Sequence, residues 1–290
     1  MSPVGHGKEN GDFAEFARSA FDGDRKFVAA LARGLDVLHC FGARDGFLGN
    51  LEIANRTGLS KPTVTRITYT LCQLGYLTHN TRTGKYQLAP GAITLGYTAL
   101  ANLGIRQVAS PHMERVAEQL GAPVALGVLY RGTALYVAIA RGTASFSIQL
   151  DVGARVPLAT TAIGRALLVA MHDDVFEGHL VQLPKKYGDQ WRDVLKHIEK
   201  AKREYQLYGF VMSEGDWRTD IHAAASPVVA ADGSGIFAFN CGAPPQYFPM
   251  KKLQKEVGPA VAEMCNLVDR TLGGTAERSG IWDAQDVRAS

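Results

Sequence analysis

The side chains whose types and spacing could do chemistry cluster first in residues 50–74, NLEIANRTGLSKPTVTRITYTLCQL. Val64, Ile67 and Leu71 recur at i, i+3 and i+7 and mark the apolar face of a helix. The other face carries Lys61, Thr63, Arg66 and Thr70, with Thr65 and Tyr69 at its edges. Cationic and hydroxyl groups on one helix face can hydrogen-bond base edges, arginine to guanine above all. Ser60 is a good N-cap for this helix, and Pro62 falls in its first turn, where the missing N–H costs nothing. Upstream, Ile53 and Ala54 mark the buried side of a first short helix. Gly58 supplies the turn, where a left-handed backbone is cheap, and Leu59 plugs the joint. A buried helical hairpin is the bland alternative. Small apolar residue, turn glycine and capped polar helix in one register favour a helix-turn-helix whose second helix enters the major groove. Tyr76-Leu77 and 86–88 then read as short strands around Asn80-Thr-Arg-Thr-Gly-Lys85, a wing that would bring Arg82 and Lys85 to phosphates.

A second constellation lies in residues 156–168, VPLATTAIGRALL. Thr160 or Thr161 would cap the helix that follows and leave the amides of Ala162, Ile163 and Gly164 outward. Free amides at the positive end of a helix dipole form an anion site, and Gly164 would let a ligand approach the backbone. Taken alone, these residues fit a plain helix start with a packing glycine better. Enzyme signatures are missing from the sequence: there is no GxSxG elbow, no HExxH and no GxGxxG after a strand. Gly84-Lys85 lacks the rest of a phosphate loop. The eight histidines are dispersed, and His172 and His179 are two helical turns apart, which suits surface placement rather than a shared metal. Asp216 with His222 is the one acid–base pair worth weighing. Cys40, Cys72, Cys241 and Cys265 have no metal-ligand spacing. The first two sit in apolar helical contexts that suit small buried hydrophobes, with a redox switch the minor alternative. No metal and no cofactor is expected.

The elements that position these groups follow from composition and pattern. At 290 residues, 46% apolar and 20% charged, the chain suits two compact domains. No run is long or apolar enough to span a bilayer and the N-terminus does not resemble a signal peptide, so the expected location is the cytoplasm. The net charge of +3 hides an asymmetry. Residues 25–90 hold nine Lys/Arg against three Asp/Glu, residues 1–24 two against five, and the remainder balance at 20 each. Positive charge is therefore concentrated where phosphates would be met. Residues 1–24 read as a poorly ordered arm, with a short helix possible over 13–21. Residues 27–41 form a helix with Val28, Leu31, Leu35 and Leu38 on one stripe, and 42–49 a turn. A short helix over 91–103 is apolar on more than one face, so it must be buried on several sides, against its twin in a dimer or within its own chain. Then come a helix from Pro111 to a stop at Gly121, strands 124–130 and 134–140, a strand at 145–150, helices 161–171 and 191–208, strands 227–230 and 236–241, a long helix 250–272 and a polar tail. Helices alternating with antiparallel hairpins argue an α+β sensor domain.

Several of these blocks together resemble the IclR-type bacterial transcriptional regulators: Ala30-Leu-Ala-Arg-Gly-Leu-Asp-Val-Leu38, the helix-turn-helix, Gly84-Lys-Tyr-Gln-Leu88, Thr160-Thr-Ala-Ile-Gly-Arg-Ala166, Asp216-Trp-Arg-Thr-Asp220 and Cys241-Gly-Ala-Pro244. The resemblance implies an α+β chain with an N-terminal winged helix-turn-helix domain (25–89), a linker helix (90–107), a GAF-like effector-binding domain (108–274) and a tail (275–290). It implies double-stranded operator DNA, an imperfect palindrome, as one partner, a small organic acid as effector, and a homodimer or homotetramer without enzymatic activity. The residues that the helix face and wing would bring to DNA are Ser60, Lys61, Thr63, Thr65, Arg66, Tyr69, Thr70, Arg82 and Lys85. It places the effector against the helix start Ala162, Ile163 and Gly164, behind the cap candidates Thr160 and Thr161, approached by Asp220, Ala223, Asn240 and Gly242. Some relatives with small carboxylate effectors have cysteine and serines at the last three places. Ala223, Asn240 and Gly242 are less polar and roomier, with Phe237 and Phe239 nearby, which points to an aromatic or bulky carboxylate and control of a catabolic operon. The competing class is a hydrolase or transferase with a DNA-binding front end.

Overall fold

A computed structural model describes residues 24–42, 45–143, 150–171, 176, 178, 183–230 and 235–273. The arm, the tail after 273, the strand expected at 145–150 (save Leu150) and both His172 and His179 lie outside them. The chain divides into two compact units, residues 1–102 and 103–290.

The first unit opens with α1 (Ala29–His39), followed by β1 (Leu48–Gly49), α2 (Asn50–Thr57) and α3 (Lys61–Gln73). Strands β2 (Leu77–Asn80) and β3 (Lys85–Leu88) and helix α4 (Pro90–Ala101) complete it. β3 is central in a three-stranded antiparallel sheet, β1-β3-β2; the pairing of Leu48 with Tyr86 turns the expected 42–49 turn partly into an edge strand. Gly58 is left-handed at φ 68°, the backbone the tight turn requires. Ile53, Ala54, Val64, Leu71 and Leu77 share one core with Val37, Cys40 and Leu48.

One apolar stripe turns out differently from the sequence expectation, and a second lies open within its unit. On α1 the buried residue is Val37, while Val28, Leu31 and Leu35 are 61%, 62% and 41% exposed. The helix meets the core along Val37 and Cys40, and of the stripe that periodicity selects only Leu38 packs against it. On α4 no residue is buried, and Ile93 and Tyr97 are more than 70% exposed. Packing within the first unit therefore leaves this helix uncovered among the described residues. Its N-terminus is nonetheless anchored: Gly91 N–H donates to Gly75 O at 3.1 Å, and a Cβ at Gly91 would stand 2.6 Å from that oxygen.

The second unit begins with α5 (Gly104–Leu120), seven residues before the expected start at Pro111. Pro111 lies inside the helix on its exposed side, so the Gln107 carbonyl that loses its partner faces water and the helix continues. A six-stranded antiparallel sheet in the order β6-β5-β4-β9-β8-β7 follows, formed by β4 (Val124–Tyr130), β5 (Thr133–Ala140), β6 (Arg155–Pro157), β7 (Val211–Glu214), β8 (His222–Val229) and β9 (Ile236–Ala243). On one side lie α6 (Ala162–Val169), α7 (Leu183–Tyr187) and α8 (Trp191–Tyr208), whose apolar residues share a core with Ala125, Tyr136, Ala223 and Ala225. α5 also packs on the sheet, beside the closing helical stretch of Met250–Lys252, a π-helical segment Leu253–Val257 and α9 (Gly258–Thr271). Gly258 lets that stretch close on Phe210, whose ring would lie 2.1 Å from an added Cβ.

Candidate functional site

The exposed face of α3 carries the helix-turn-helix candidates. Ser60 caps it in extended backbone and accepts the Thr63 N–H at 3.4 Å, while the two hydroxyls share a 2.9 Å hydrogen bond. Thr65 Oγ1 donates to Lys61 O and accepts from Asn50 Nδ2 at 2.8 Å, so this hydroxyl ties α3 to the first residue of α2. Thr70 donates back to Arg66 O. The threonines thus spend their hydroxyls locally. Lys61, Arg66 and Tyr69 are exposed and reach away from the helix, Tyr69 at 66%. Asn50 is the residue sequence reasoning missed; its position as the helix's first residue was visible, its reach to Thr65 was not. The wing tip is shaped by Asn80, whose side chain accepts the N–H groups of Arg82 and Thr83. The Arg82 side chain is left exposed. Lys85 instead stands 3.6 Å from Glu52, whose carboxylate accepts the Gly49 N–H at 2.7 Å. That backbone hydrogen bond first, and Lys85 after it, hold Glu52 below the usual carboxylate range. Arg56 adds positive charge on paper only, being paired with both oxygens of Asp45 at 2.5 and 2.9 Å.

In the second unit a cavity of about 250 Å³ opens between α6 and the sheet. Of the sequence-selected residues, Thr161, Ala162, Ile163, Ala223, Asn240 and Gly242 line it. Its floor is made by small residues in register: Ala125 opposite Asn240, and Ala223 opposite Gly242. Gly127 leaves the room that Ile163 fills, since a Cβ there would lie 2.6 Å from Ile163 Cδ1.

Three expected residues are placed otherwise. Thr160 is not in the lining, and the cap is Thr161, which accepts the Gly164 N–H at 3.1 Å and donates to Pro157 O at 2.6 Å. Gly164 faces inward: a Cβ would meet Leu158 O at 2.3 Å, so the glycine serves helix packing rather than ligand approach. Its amide is consumed by the cap, which leaves Ala162 and Ile163 as the open amides among the described residues. Asp220 is exposed and holds Arg218 by two hydrogen bonds, 2.9 and 2.6 Å. It reaches the cavity only through that arginine, which lines it.

The lining also includes Tyr136, Ile139, Arg141, Ser213 and Trp217, none of them selected from sequence. Tyr136 and Ile139 are three apart and would face opposite sides of a regular strand. The β4–β5 register shifts between Leu126 and Gly127, so that Tyr136 pairs with Gly127 and Ile139 with Ala125 on one face. Such a bulge re-aims a side chain. Burial pushes the Tyr136 phenol up to about 12, opposed by a hydrogen bond from the Asn240 side chain.

Behind the cavity, α6 is fixed by Arg165, whose side chain is 2% exposed. Its Nη2 donates to Met212 O at 3.0 Å and to Asp216 Oδ2 at 2.6 Å. Asp216 also accepts from Ser213 and stands 3.3 Å from His197. Burial opposes the Asp216 charge most strongly, yet Arg165, His197 and Ser213 together hold the carboxyl below its ordinary range. The Asp216–His222 pair is overturned: His222 Nδ1 is bonded to Phe248 O at 2.9 Å. Burial pushes the thiols of Cys40, Cys241 and Cys265 up to about 12, which leaves them poor nucleophiles.

Comparison with known proteins fits both sites. Residues 30–81 match the IclR helix-turn-helix domain and residues 97–270 the bacterial transcriptional regulator IclR C-terminal domain. The chain belongs to the IclR family of bacterial transcriptional regulators. It is 32% identical over 243 residues to the HTH-type transcriptional regulator TsaQ1/TsaQ2 of Comamonas testosteroni, covering 82% of this chain and 86% of that one. The crystal structure of an IclR family regulator from Brucella abortus superposes with a TM-score of 0.79 at 40% identity, over 86% of this chain and 94% of that one. An IclR homologue from Microbacterium hydrocarbonoxydans, crystallised with 4-hydroxybenzoate, shares the fold at a TM-score of 0.66 and 23% identity, over 84% of this chain and 99% of that one. The transcriptional regulators of this family are not enzymes. No helix among the described residues is long and apolar enough to cross a membrane.

Proposed function

We propose that this IclR-family regulator senses an aromatic carboxylate and couples its binding to operator DNA, in control of a catabolic operon. The observation that carries the reading is the cavity itself. It sets the open amides of Ala162 and Ile163 beside an apolar wall of Ala125, Ile139, Ile163, Trp217 and Ile221. Amides at a helix N-terminus favour an anion, and the wall suits a flat ring. Arg218 adds a cation held in place by Asp220. The Microbacterium homologue's 4-hydroxybenzoate is a ligand of this kind on the same fold.

On the DNA side, Lys61, Arg66 and Tyr69 would read bases, and Ser60, Thr63, Thr65 and Thr70 would set the helix surface around them. Arg82 would hold a phosphate, with Lys85 the weaker contact because Glu52 neutralises it. The exposed stripe of α1 and the unburied α4 support an oligomer, in which α4 would pack on its twin and two readers would face a palindrome. Ligand can shift DNA affinity only by binding the two arrangements unequally. Isothermal titration against benzoates and small aliphatic acids tests the effector class. Tight binding of glyoxylate or pyruvate with no response to aromatic acids would refute it.

A further inference from the structure

The second unit buries charge where apolar packing would serve stability as well. Arg165 and Glu204 are both buried beside a largely apolar core. A buried ion pair is costly to desolvate, and apolar residues of like volume are often no less stable. Arg165 Nε has no hydrogen-bond partner among the described residues, so stability alone does not account for the arginine. What it does supply is direction. Arg165 stands on α6, whose start gives the cavity Thr161, Ala162 and Ile163. Its Nη2 donates to Met212 O, just before Ser213, and to Asp216 Oδ2, just before Trp217. Ser213, Trp217 and Arg218 line the same cavity. β7 is the edge strand of its sheet, and side chains take both main-chain groups of Met212: Arg165 the carbonyl, and Glu204 the N–H at 2.9 Å. Among the described residues no other hydrogen bond joins α6 to residues 211–221.

We propose that Arg165 and Asp216 are positioning residues for effector recognition: one guanidinium ties the helix start to the stretch carrying Ser213, Trp217 and Arg218, and so sets the spacing of the cavity. The inference rests on reading this cavity as the effector site. Neither Arg165 nor Asp216 lines it, so both act through the residues that do. Apolar contacts between α6 and β7 tolerate small slides, whereas two hydrogen bonds from one nitrogen admit a single register. A cavity of about 250 Å³ leaves little room for such slides. Holding the walls in place before the ligand arrives removes an ordering cost from binding. With the tie gone, the binding arrangement becomes one of several. Affinity then falls in proportion to the fraction of molecules that still adopt it.

Amide hydrogen exchange and isothermal titration of the full-length protein test this on two variants. Arg165→Met combined with Asp216→Leu removes the tie without stranding a charge, so the protein should stay folded. Exchange should nonetheless rise roughly tenfold in residues 164–169 and 211–218 while α9 stays unchanged. Benzoate and 4-hydroxybenzoate should bind this folded variant roughly ten- to a hundredfold more weakly than the wild type, a loss that a merely structural pair would not produce. Arg165→Lys keeps the charge but lacks the planar guanidinium, and should show the same two changes in smaller measure. It carries the test if the double variant does not fold. Exchange unchanged in both stretches, or wild-type affinity in a variant whose tie is gone, overturns the positioning role and leaves the effector reading standing. If neither acid binds the wild type, the aromatic reading fails by itself, and the exchange result still decides the tie.

Discussion

Removing the Asp216 carboxylate should unfasten the helix that begins the ligand cavity. Arg165 is almost wholly buried, and Asp216 is 18% exposed, at 2.6 Å from it. In Asp216→Ala the guanidinium keeps only the Met212 carbonyl as a hydrogen-bond partner among the described residues. Breaking a buried ion pair by deleting one member costs about 3–5 kcal/mol, because the surviving charge is left unpaired. Partial exposure of the carboxylate places this case at the lower end, about 3 kcal/mol. For a unit of this size that corresponds to a melting temperature about 6–12 °C lower. The assay is calorimetry that resolves the transition of residues 103–290 from that of the winged unit. Replacing both partners, Arg165→Met with Asp216→Leu, should cost less than the sum of the single changes, since no charge remains stranded. The pH dependence has a fixed sign. Asp216 has a depressed folded pKa, so the contribution of the pair is complete above the ordinary aspartate value of about 3.9 and is lost as pH falls through the lower folded value. The gap between wild type and Asp216→Ala should therefore not narrow from pH 7 to about 5, and should narrow only below about 4. A loss under about 1 kcal/mol, strictly additive single changes, or a gap that closes already between pH 7 and 5 would refute the reasoning.

Further outcomes follow from the same geometry. Arg66→Ala should weaken binding to the specific site by about 1–3 kcal/mol and leave random DNA nearly unchanged, measured by anisotropy on both; equal losses would make Arg66 a phosphate contact. Arg82→Ala should reduce affinity for all sequences and lower the slope of log K against log salt by about 0.9, and Lys85→Ala should do so less because Glu52 already neutralises it. Gly164→Ala should destabilise the second unit by more than the usual 1–3 kcal/mol of an overpacked core, because its Cβ would strike the Leu158 backbone, which has little freedom to move. A stable Gly164→Ala protein with ligand affinity alone impaired would restore the glycine to the ligand site.

What the sequence made legible and what it hid have physical reasons. The helix-turn-helix was readable because cap, turn glycine and i, i+3, i+7 spacing are local signals, and they appear in α2 and α3 as Gly58, Ser60, Val64 and Leu71. The stripe of α1 was borne out only at Leu38, because periodicity reports an apolar face without saying what covers it, and here the core meets Val37. Pro111 misled in the opposite direction, as a helix can pass through proline where the freed carbonyl faces water. In the cavity, the Thr161 helix start was readable as a local cap signal, whereas the Ala223, Asn240 and Gly242 set follows from family resemblance. Tyr136 and Ile139 were hidden by a bulge that alternation cannot register. Arg165 lay within a quoted motif, yet only the fold reveals that it is buried against Asp216, 51 residues away.

The most direct test is a single titration: purified protein against labelled DNA from upstream of its own gene, at moderate salt, with and without hydroxylated and unsubstituted aromatic acids. The account predicts specific binding over random DNA and a shift in that affinity caused by a ring acid but not by glyoxylate or pyruvate. Specific binding indifferent to every ring acid, or no preference for that DNA over random sequence, would contradict it.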